Sequence, residues 1–287
     1  MGKKHPTKDL ATTMVEALRV HDGFVLTDRD PDSTPGFTKD KKAAAKIRTE
    51  TGPELADLQE RMYAESRIDG HRNVLLIMQG MDTSGKGGIM RHVIGHVDPQ
   101  GVEHHAFKKP TEEELKHSFL WRIRNALPPE GSIGVFDRSH YEDVLIGRVH
   151  ELAPPATIGR RYGQINDFEQ SLVENGTAVI KVMLHISREE QGERLARRLD
   201  RKDKMWKFTE NDISERKLWA DYQHAYEIAI DKTSTNTAPW YVVPADHKWY
   251  ARLAVHHLLL HHLRAMDPQW PMPTYDVEEQ EAALART

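Results

Sequence analysis

Residues 73–88 constrain the fold of this chain more than any other stretch. The apolar run NVLLIMQ (73–79) leads directly into GMDTSGKGG (80–88), and KGGIMRHVIGHV continues as a helix candidate. A buried strand, a loop with the spacing Gly80, Gly85, Lys86, and a following helix form the context of a phosphate-binding loop. The predicted phosphate-binding residues are Gly80, Met81, Thr83, Ser84, Gly85, Lys86, Gly87 and Gly88. The alternative is a chance match on a glycine-rich turn, which the preceding apolar strand disfavours.

Position 87 departs from the usual loop, because Gly87 stands where a Ser or Thr hydroxyl normally binds magnesium. Asp82, inside the loop, offers a carboxylate oxygen, the ligand type that magnesium prefers. A second acid, Asp137, ends the apolar run GSIGVFD (131–137), and the carboxyl ends of parallel strands share one edge. Although Asp is also common in turns, two acids at two strand ends predict a Mg²⁺ site formed by Asp82 and Asp137.

Apolar runs that alternate with helical segments predict the fold class α/β, a parallel sheet with helices on both faces. Predicted strands are 73–79, 101–107, 131–137, 177–187 and 240–245. Predicted helices are 39–67, which TGPE (51–54) could interrupt, 111–127 with a Thr111–Glu114 cap, 210–232 and 247–266. Residues 1–38 are expected to be irregular, because DRDPDSTPGFT is rich in Asp, Pro and Gly.

Composition excludes several classes of protein. With 38% hydrophobic and 29% charged residues the chain is globular in type, and no apolar run approaches the roughly 18 residues of a membrane helix. Since there is no cysteine, disulfides, thiol catalysis and Cys-zinc sites are excluded. The polar start MGKKHPTKDL does not resemble a signal peptide, so we expect a cytoplasmic location and no membrane partner. A formal charge of −4 argues against a nucleic-acid coat protein.

The residues after Asp137 are further candidates for the site. Arg138 is placed to bind a transferring phosphoryl group, with a surface salt bridge as the alternative. Tyr141, Glu142 and Asp143 follow, and either acid could orient an acceptor or bind magnesium through water. Exposed acids on the first turn of a helix are the plainer interpretation of the same pattern.

A basic stripe follows the strand at 177–187. If residues 188–207 are helical, Arg194, Arg197, Arg198 and Arg201 fall within about 60° of one another, with Lys204 and Lys207 beyond them. Like charges at this spacing cost stability, so the stripe predicts an anionic partner. A solvated face partly neutralised by neighbouring acids is the alternative. Lys109, in FKKPT, is another candidate for phosphate binding.

Taken together, the motifs resemble the family-2 polyphosphate kinases over most of the chain, from about Phe37 to His262. The matching segments are GMDTSGKGGI, FKKPTEEE, FLWRI, VFDRSHYEDVL, ISREEQGERLARRL, WKFTENDI and APWYVVPADHKWY. The resemblance implies a thymidylate-kinase-like P-loop kinase fold with a helical lid, and it adds Arg122 of FLWRI to the substrate-binding residues. It also implies magnesium-dependent phosphoryl transfer between inorganic polyphosphate and a nucleotide, with Asp82 and Asp137 as functional acids. SHYEDVL is similar to the subgroup that accepts AMP as well as ADP.

These observations lead to one expected organisation of the chain. Residues 1–70 are an N-terminal extension with helices packing on the core, 71–270 a P-loop kinase domain with a lid at about 188–232, and 271–287 a C-terminal tail. Polyphosphate, AMP, ADP and ATP are the expected partners, in a homo-oligomer (dimer or tetramer).

In the expected reaction the terminal phosphoryl group of polyphosphate lies over the loop. Lys86 and magnesium neutralise it, and Arg138, Arg194 and Arg198 bind the transferring group and flanking phosphates. Two alternatives stay open: an ATP-dependent small-molecule or nucleotide kinase on the same fold, which Gly87 disfavours, and a non-catalytic module that binds nucleotide or polyanion.

Overall fold

The computed structural model describes residues 9–287. Residues 1–8, which belong to the predicted irregular, polar start of the chain, lie outside the described residues. The strands are β1 (Asn73–Gln79), β2 (Val102–Ala106), β3 (Ile133–Asp137), β4 (Thr177–His185) and β5 (Trp240–Pro244). The helices are α1 (Leu10–Leu18), α2 (Lys41–Ser66), α3 (Lys86–His92), α4 (Trp121–Arg124), α5 (Ile146–Val149), α6 (Pro155–Glu174), α7 (Arg188–Asp200), α8 (Glu210–Lys217), α9 (Trp219–Thr233), α10 (Lys248–Met266) and α11 (Val277–Leu284).

Within residues 9–287 the five strands form one parallel sheet in the order β2-β3-β1-β4-β5. β1, β3, β4 and β5 are apolar runs that are buried almost throughout, as expected for parallel strands covered on both faces. The pairing sets Met78 of β1 beside Asp137 of β3, and Gln79 beside Met183 of β4. The carboxyl ends of the central strands therefore meet at one edge.

The core lies in two layers on either side of the sheet. Because side chains alternate along a strand, Val74, Leu76 and Met78 pack with residues of α1, α2 and α10. Leu75 and Ile77 point the other way and pack with residues of α6 and α9. The prediction of a parallel sheet with helices on both faces is confirmed.

The predicted helix at 111–127 is wrong in its extent. Its cap forms, since the Glu114 N–H donates to Thr111 Oγ1 at 3.2 Å and the Thr111 N–H to Glu114 Oε2 at 2.7 Å. However, the turn ends at His117, where the backbone becomes extended, and only α4 follows. Most residues of 111–118 are exposed, so no apolar face supports a longer helix.

Three other segments differ from the expectations. Residues 10–18, expected to be irregular, form α1, whose Met14 and Leu18 are buried in the layer that contains α10. α2 runs through Pro53 without a break, because packing against α10 supports it beyond its propensity. The single helix expected at 210–232 is two helices, α8 and α9.

No helix within residues 9–287 is long and apolar enough to cross a bilayer. The proposed division into 1–70, 71–270 and 271–287 stays a prediction. The last segment carries α11, whose side chains are all exposed.

Candidate active site

The loop between β1 and α3 depends on glycine at one position in particular. Gly80 has a φ of 147°, and a Cβ added there would lie 2.7 Å from the Leu184 carbonyl oxygen and 2.8 Å from Ser84 Oγ. Any side chain would therefore clash with β4 and with the loop itself. At Gly87, by contrast, a Cβ would meet no atom of the described residues within 4 Å. Packing thus leaves room at position 87 for the hydroxyl that this sequence lacks.

Two hydrogen bonds fix the start of the loop. The Lys86 ammonium group donates to the Gly80 carbonyl oxygen at 2.9 Å, and the Gly80 N–H donates to the Tyr226 hydroxyl of α9 at 3.0 Å. The lysine predicted to meet phosphate is therefore held across the loop from the first residue of α3.

Arg138 stands among the acids at the carboxyl edge of the sheet. Its backbone has a left-handed φ of 66°, and its guanidinium lies 3.4 Å from Asp82 Oδ1 and 3.6 Å from Glu142 Oε2. Burial raises the pKa of Glu142 above its usual value, while Arg138 and Lys86 act in the opposite direction. Asp137 is half-buried immediately before Arg138.

A cavity of about 640 Å³ lies over the loop; we call it the cationic cavity. Asp82 and Asp137 both line it, so the structure brings the two predicted metal ligands to one space. The basic residues that line it are Lys86, Arg91, Arg138, Arg194, Arg197, Arg198, Arg201, Lys204, Lys207, Lys248 and Arg252. Such a concentration of positive charge suits a polyanion.

The two aspartates fit a magnesium ion only together with ligands from outside the chain. Within residues 9–287 no three His, Asp or Glu side chains are arranged to hold a metal ion. Magnesium in phosphoryl-transfer sites is bound by one or two carboxylates plus substrate phosphates and water. Asp82, in the loop, and Asp137, at the end of β3, match that donor set.

Arg194 differs from the prediction that its guanidinium binds a phosphoryl group. Its side chain is buried, and Nε donates to Glu190 Oε1 at 2.7 Å. The other N–H groups donate to the carbonyl oxygens of Thr83 (2.9 Å), Ser84 (3.0 Å), Ala245 (2.6 Å) and Asp246 (2.9 Å). Arg194 thus ties the loop to the segment after β5, and its five donors are all in use.

The rest of the stripe is partly neutralised, as the alternative interpretation had it. Arg197 bonds Glu190 at 2.7 Å and Glu193 at 3.0 Å, and Arg201 bonds Asp203 at 2.8 Å. Arg198 donates to the Lys207 carbonyl oxygen at 3.1 Å and lies 3.6 Å from Asp212. All three arginines nevertheless line the cationic cavity.

A second cavity, of about 120 Å³, lies on the other side of Asp82 and Arg138; we call it the aromatic cavity. The residues that line it are Gly80, Met81, Asp82, Arg138, Glu142, Leu145, Ile146, His150, Gln191, Asn211, Glu215, Tyr222 and Tyr226. Asp82 and Arg138 line both cavities. A group bound in one cavity therefore approaches a group bound in the other at these two residues.

Comparison with known protein families matches residues 38–271 to the family described as Polyphosphate kinase 2 (PPK2). The chain belongs to the polyphosphate kinase 2 family. The resemblance seen in its motifs is therefore confirmed.

Relatives within the polyphosphate kinase 2 family cover most of the chain. It is 44% identical to the AMP/ADP-polyphosphate phosphotransferase of Meiothermus ruber, a match that covers 87% of this chain and 92% of that protein. It is 43% identical to the ADP-polyphosphate phosphotransferase of Rhodopseudomonas palustris, over 77% of this chain and 79% of that protein. The crystal structure of Polyphosphate Kinase 2 from Arthrobacter aurescens TC1 matches with a TM-score of 0.94 and 50% identity, over 98% of this chain and 99% of that one. The predicted fold class is confirmed by this match.

In this polyphosphate kinase 2 family member, four predicted substrate-binding residues line neither cavity. Tyr141 is fully buried and its hydroxyl donates to Glu169 at 2.7 Å, so it cannot reach a substrate. Arg122 is buried, donates to the Lys108 carbonyl oxygen at 2.8 Å and lies 3.7 Å from Asp143. Asp143 also faces Arg161 at 3.5 Å. Lys109 is exposed and is not among the residues that line either cavity.

Sequence reasoning missed basic residues that come from outside the stripe. Lys248 and Arg252 lie one turn apart at the start of α10, directly after β5, and both line the cationic cavity. Burial, followed by the neighbouring Arg194 and Arg197, lowers the pKa of Lys248. Their position after a strand end was the available signal, since that end shares its edge with Gly80 and Asp137. Tyr222 and Tyr226 of α9, which were not among the predicted site residues, also face the site.

Proposed function

We propose that this chain transfers the terminal phosphoryl group of inorganic polyphosphate to AMP or ADP, in a reaction that requires magnesium. The observation that carries the proposal is the meeting of the two cavities at Asp82 and Arg138. One cavity is lined by many cations and suits a chain of phosphates. The other combines Tyr222, Tyr226 and apolar side chains with the charged residues Asp82, Arg138, Glu142 and Glu215. The names of the relatives from Meiothermus ruber and Rhodopseudomonas palustris support the same donor and acceptors.

The polyphosphate chain binds in the cationic cavity, with its terminal group over the loop. Backbone N–H groups of the loop, the N-terminus of α3 and Lys86 bind the phosphate oxygens. Lys248, Arg252 and the cavity-lining arginines Arg197, Arg198 and Arg201 bind the following phosphates. Asp82 and Asp137 would hold magnesium, which when bound supplies positive charge that offsets the charge of the transferring group.

The acceptor enters the aromatic cavity with its phosphate toward Arg138. That phosphate is already anionic near neutral pH, so orientation and charge neutralisation replace a strong general base. Arg138, between Asp82 and Glu142, is positioned to bind the group in transit. A cavity of about 120 Å³ is smaller than the roughly 300 Å³ typical of ligand pockets, so surrounding side chains move apart to admit a whole nucleotide.

The decisive assay uses purified protein with long-chain polyphosphate, magnesium, and AMP or ADP. We expect ADP from AMP and ATP from ADP, with activity that falls as salt screens the cationic cavity. Phosphorylation that needs ATP and ignores polyphosphate would indicate the ATP-dependent kinase instead. Binding of both ligands without turnover in magnesium would indicate the non-catalytic module.

Steady-state comparison of AMP, ADP, GMP and GDP then ranks the acceptors. The cytoplasmic location and the dimer or tetramer stay predictions.

A further inference from the structure

A buried ion pair crosses the layer between the sheet and α6. Lys181, in the middle of β4, and Glu169, on α6, are both inaccessible to solvent, and Nζ lies 2.5 Å from Glu169 Oε2. Nζ also donates to the Thr233 carbonyl oxygen at 2.6 Å and to the Tyr141 hydroxyl at 3.1 Å. The rings of Tyr141 and Trp240 lie 5.7 Å and 5.4 Å from the ammonium group.

Stability alone does not account for this pair. Moving both charges out of water is costly, and well-packed apolar side chains of the same volume usually stabilise a core as well or better. The other residues of β4 between Val179 and Leu184 are apolar and fully packed. An ion pair in this position therefore points to a role in fixing geometry.

Glu169 holds the turn that follows the strand-end acid. Its Oε1 accepts from the Tyr141 hydroxyl at 2.7 Å and lies 3.1 Å from His140 Nε2. Both residues belong to the single turn His140–Asp143, which also carries Glu142. Glu142 forms part of the wall of the aromatic cavity, where its carboxylate lies 3.6 Å from Arg138.

Lys181 holds another part of the wall of the same cavity. Thr233, whose carbonyl oxygen it bonds, is the last residue of α9, and the Thr233 hydroxyl accepts from Trp240 Nε1 at 2.8 Å. α9 carries Tyr222 and Tyr226, which line the aromatic cavity. The ion pair thus joins the turn and the helix that form this cavity, while its own side chains lie outside the described lining of both cavities.

We propose that Glu169 and Lys181 are positioning residues for the acceptor: they fix the separation between the turn His140–Asp143 and α9. This inference rests on the proposed function, because it takes the aromatic cavity as the acceptor site. The proposal predicts different effects on the binding of the two substrates. The network holds two parts of the wall of the aromatic cavity, whereas Arg194 and the loop shape the cationic cavity.

The test replaces both charges together, so that neither is left buried without its partner. In Lys181→Met/Glu169→Gln the glutamine still accepts from the Tyr141 hydroxyl, and the bond to Thr233 is lost. We expect the KM for AMP, and its Kd by calorimetry without polyphosphate, to rise at least about tenfold, which corresponds to about 1.4 kcal/mol. The KM for polyphosphate should stay within about twofold of wild type, because neither Lys181 nor Glu169 nor their partners Tyr141 and Thr233 line the cationic cavity.

The control is Thr51→Val/His256→Leu, which removes a partly buried 2.8 Å contact between α2 and α10 on the opposite face of the sheet. It should lower the melting temperature and leave both KM values unchanged. An unchanged AMP Kd in the Lys181/Glu169 variant, or an equal rise in the control, would overturn the positioning role.

If the double variant does not fold, Tyr141→Phe removes one bond and keeps the ring, and an unchanged AMP Kd there has the same consequence. Failure of wild-type protein to bind AMP or ADP would instead reject the acceptor assignment under the proposed function.

Discussion

Replacing Arg194 with methionine tests whether this arginine supports the loop or binds substrate. The change removes five hydrogen bonds, four of them to main-chain carbonyl oxygens on two separate segments. Bonds from a charged donor contribute about 1.5–3 kcal/mol each, but the cost of burying the guanidinium offsets much of their sum. Losing one partner of a buried charged contact typically costs about 3–5 kcal/mol, and we expect that fall in the free energy of unfolding.

Urea unfolding followed by circular dichroism measures this effect, and Arg197→Met is the matched control. Arg197 lies one turn further along α7, with 49% of its side chain exposed, and its bonds to Glu190 and Glu193 are open to solvent. Replacing Arg197 should lower the free energy of unfolding by less than about 1 kcal/mol. The reasoning is refuted if Arg194→Met unfolds at the same urea concentration as wild type while its KM for polyphosphate rises. That result would return Arg194 to the phosphate-binding role inferred from the stripe.

Three further predictions concern the loop and the helix behind it. Asp82→Asn should lower kcat at least about a hundredfold by removing a metal ligand, and near-normal turnover at saturating magnesium would remove Asp82 from the site. Gly80→Ala should lower the free energy of unfolding by about 1–3 kcal/mol, because its Cβ would clash and its φ is positive. Gly87→Ala should stay within about 1 kcal/mol of wild type. Equal urea midpoints for the two variants would contradict this loop geometry. Burial lowers the pKa of His257 from 6.5 to about 4, so the unfolded chain takes up a proton more readily and stability falls as pH drops from about 6.5 toward 4. His257→Leu should reduce the fall in the free energy of unfolding by up to about 1.4 kcal/mol per pH unit, measured by urea titrations between about pH 7.5 and pH 5. If the variant loses as much stability per pH unit as wild type, His257 is not the cause of the loss.

The central strands and the loop could be predicted from the sequence because their signals are local. A continuous apolar run such as 73–79 has few alternatives to a buried strand, and the glycine spacing follows it directly. The rule that parallel strands end at one edge was enough to place Asp82 and Asp137 in the same cavity. The helix at 111–127 failed for the opposite reason: its cap was local and real, but the packing needed to extend a helix is tertiary.

The fate of individual side chains could not be predicted in the same way. Helical periodicity placed Arg194 on one face with Arg198, yet carbonyl oxygens about 110 positions earlier in the chain take up its guanidinium. Tyr141 and Glu142 are neighbours shortly after Asp137, yet Tyr141 is buried and Glu142 faces the aromatic cavity. The difference depends on Glu169, far away in the sequence, which accepts a hydrogen bond from the Tyr141 hydroxyl. Such distinctions depend on residues that are remote in sequence and close in space.

The bonds from α7 to the loop have a mechanical consequence. Arg194 and Gln191, which donates to the Asp82 carbonyl oxygen at 3.3 Å, anchor the first two turns of α7 to the loop between β1 and α3. If the lid predicted at about 188–232 moves, its hinge has to follow Arg194, because the first two turns of α7 are bonded to the loop. The segment after Arg194 carries Arg198, Arg201 and Lys207. A movement of this segment would change the distance between these three cations and polyphosphate in the cationic cavity.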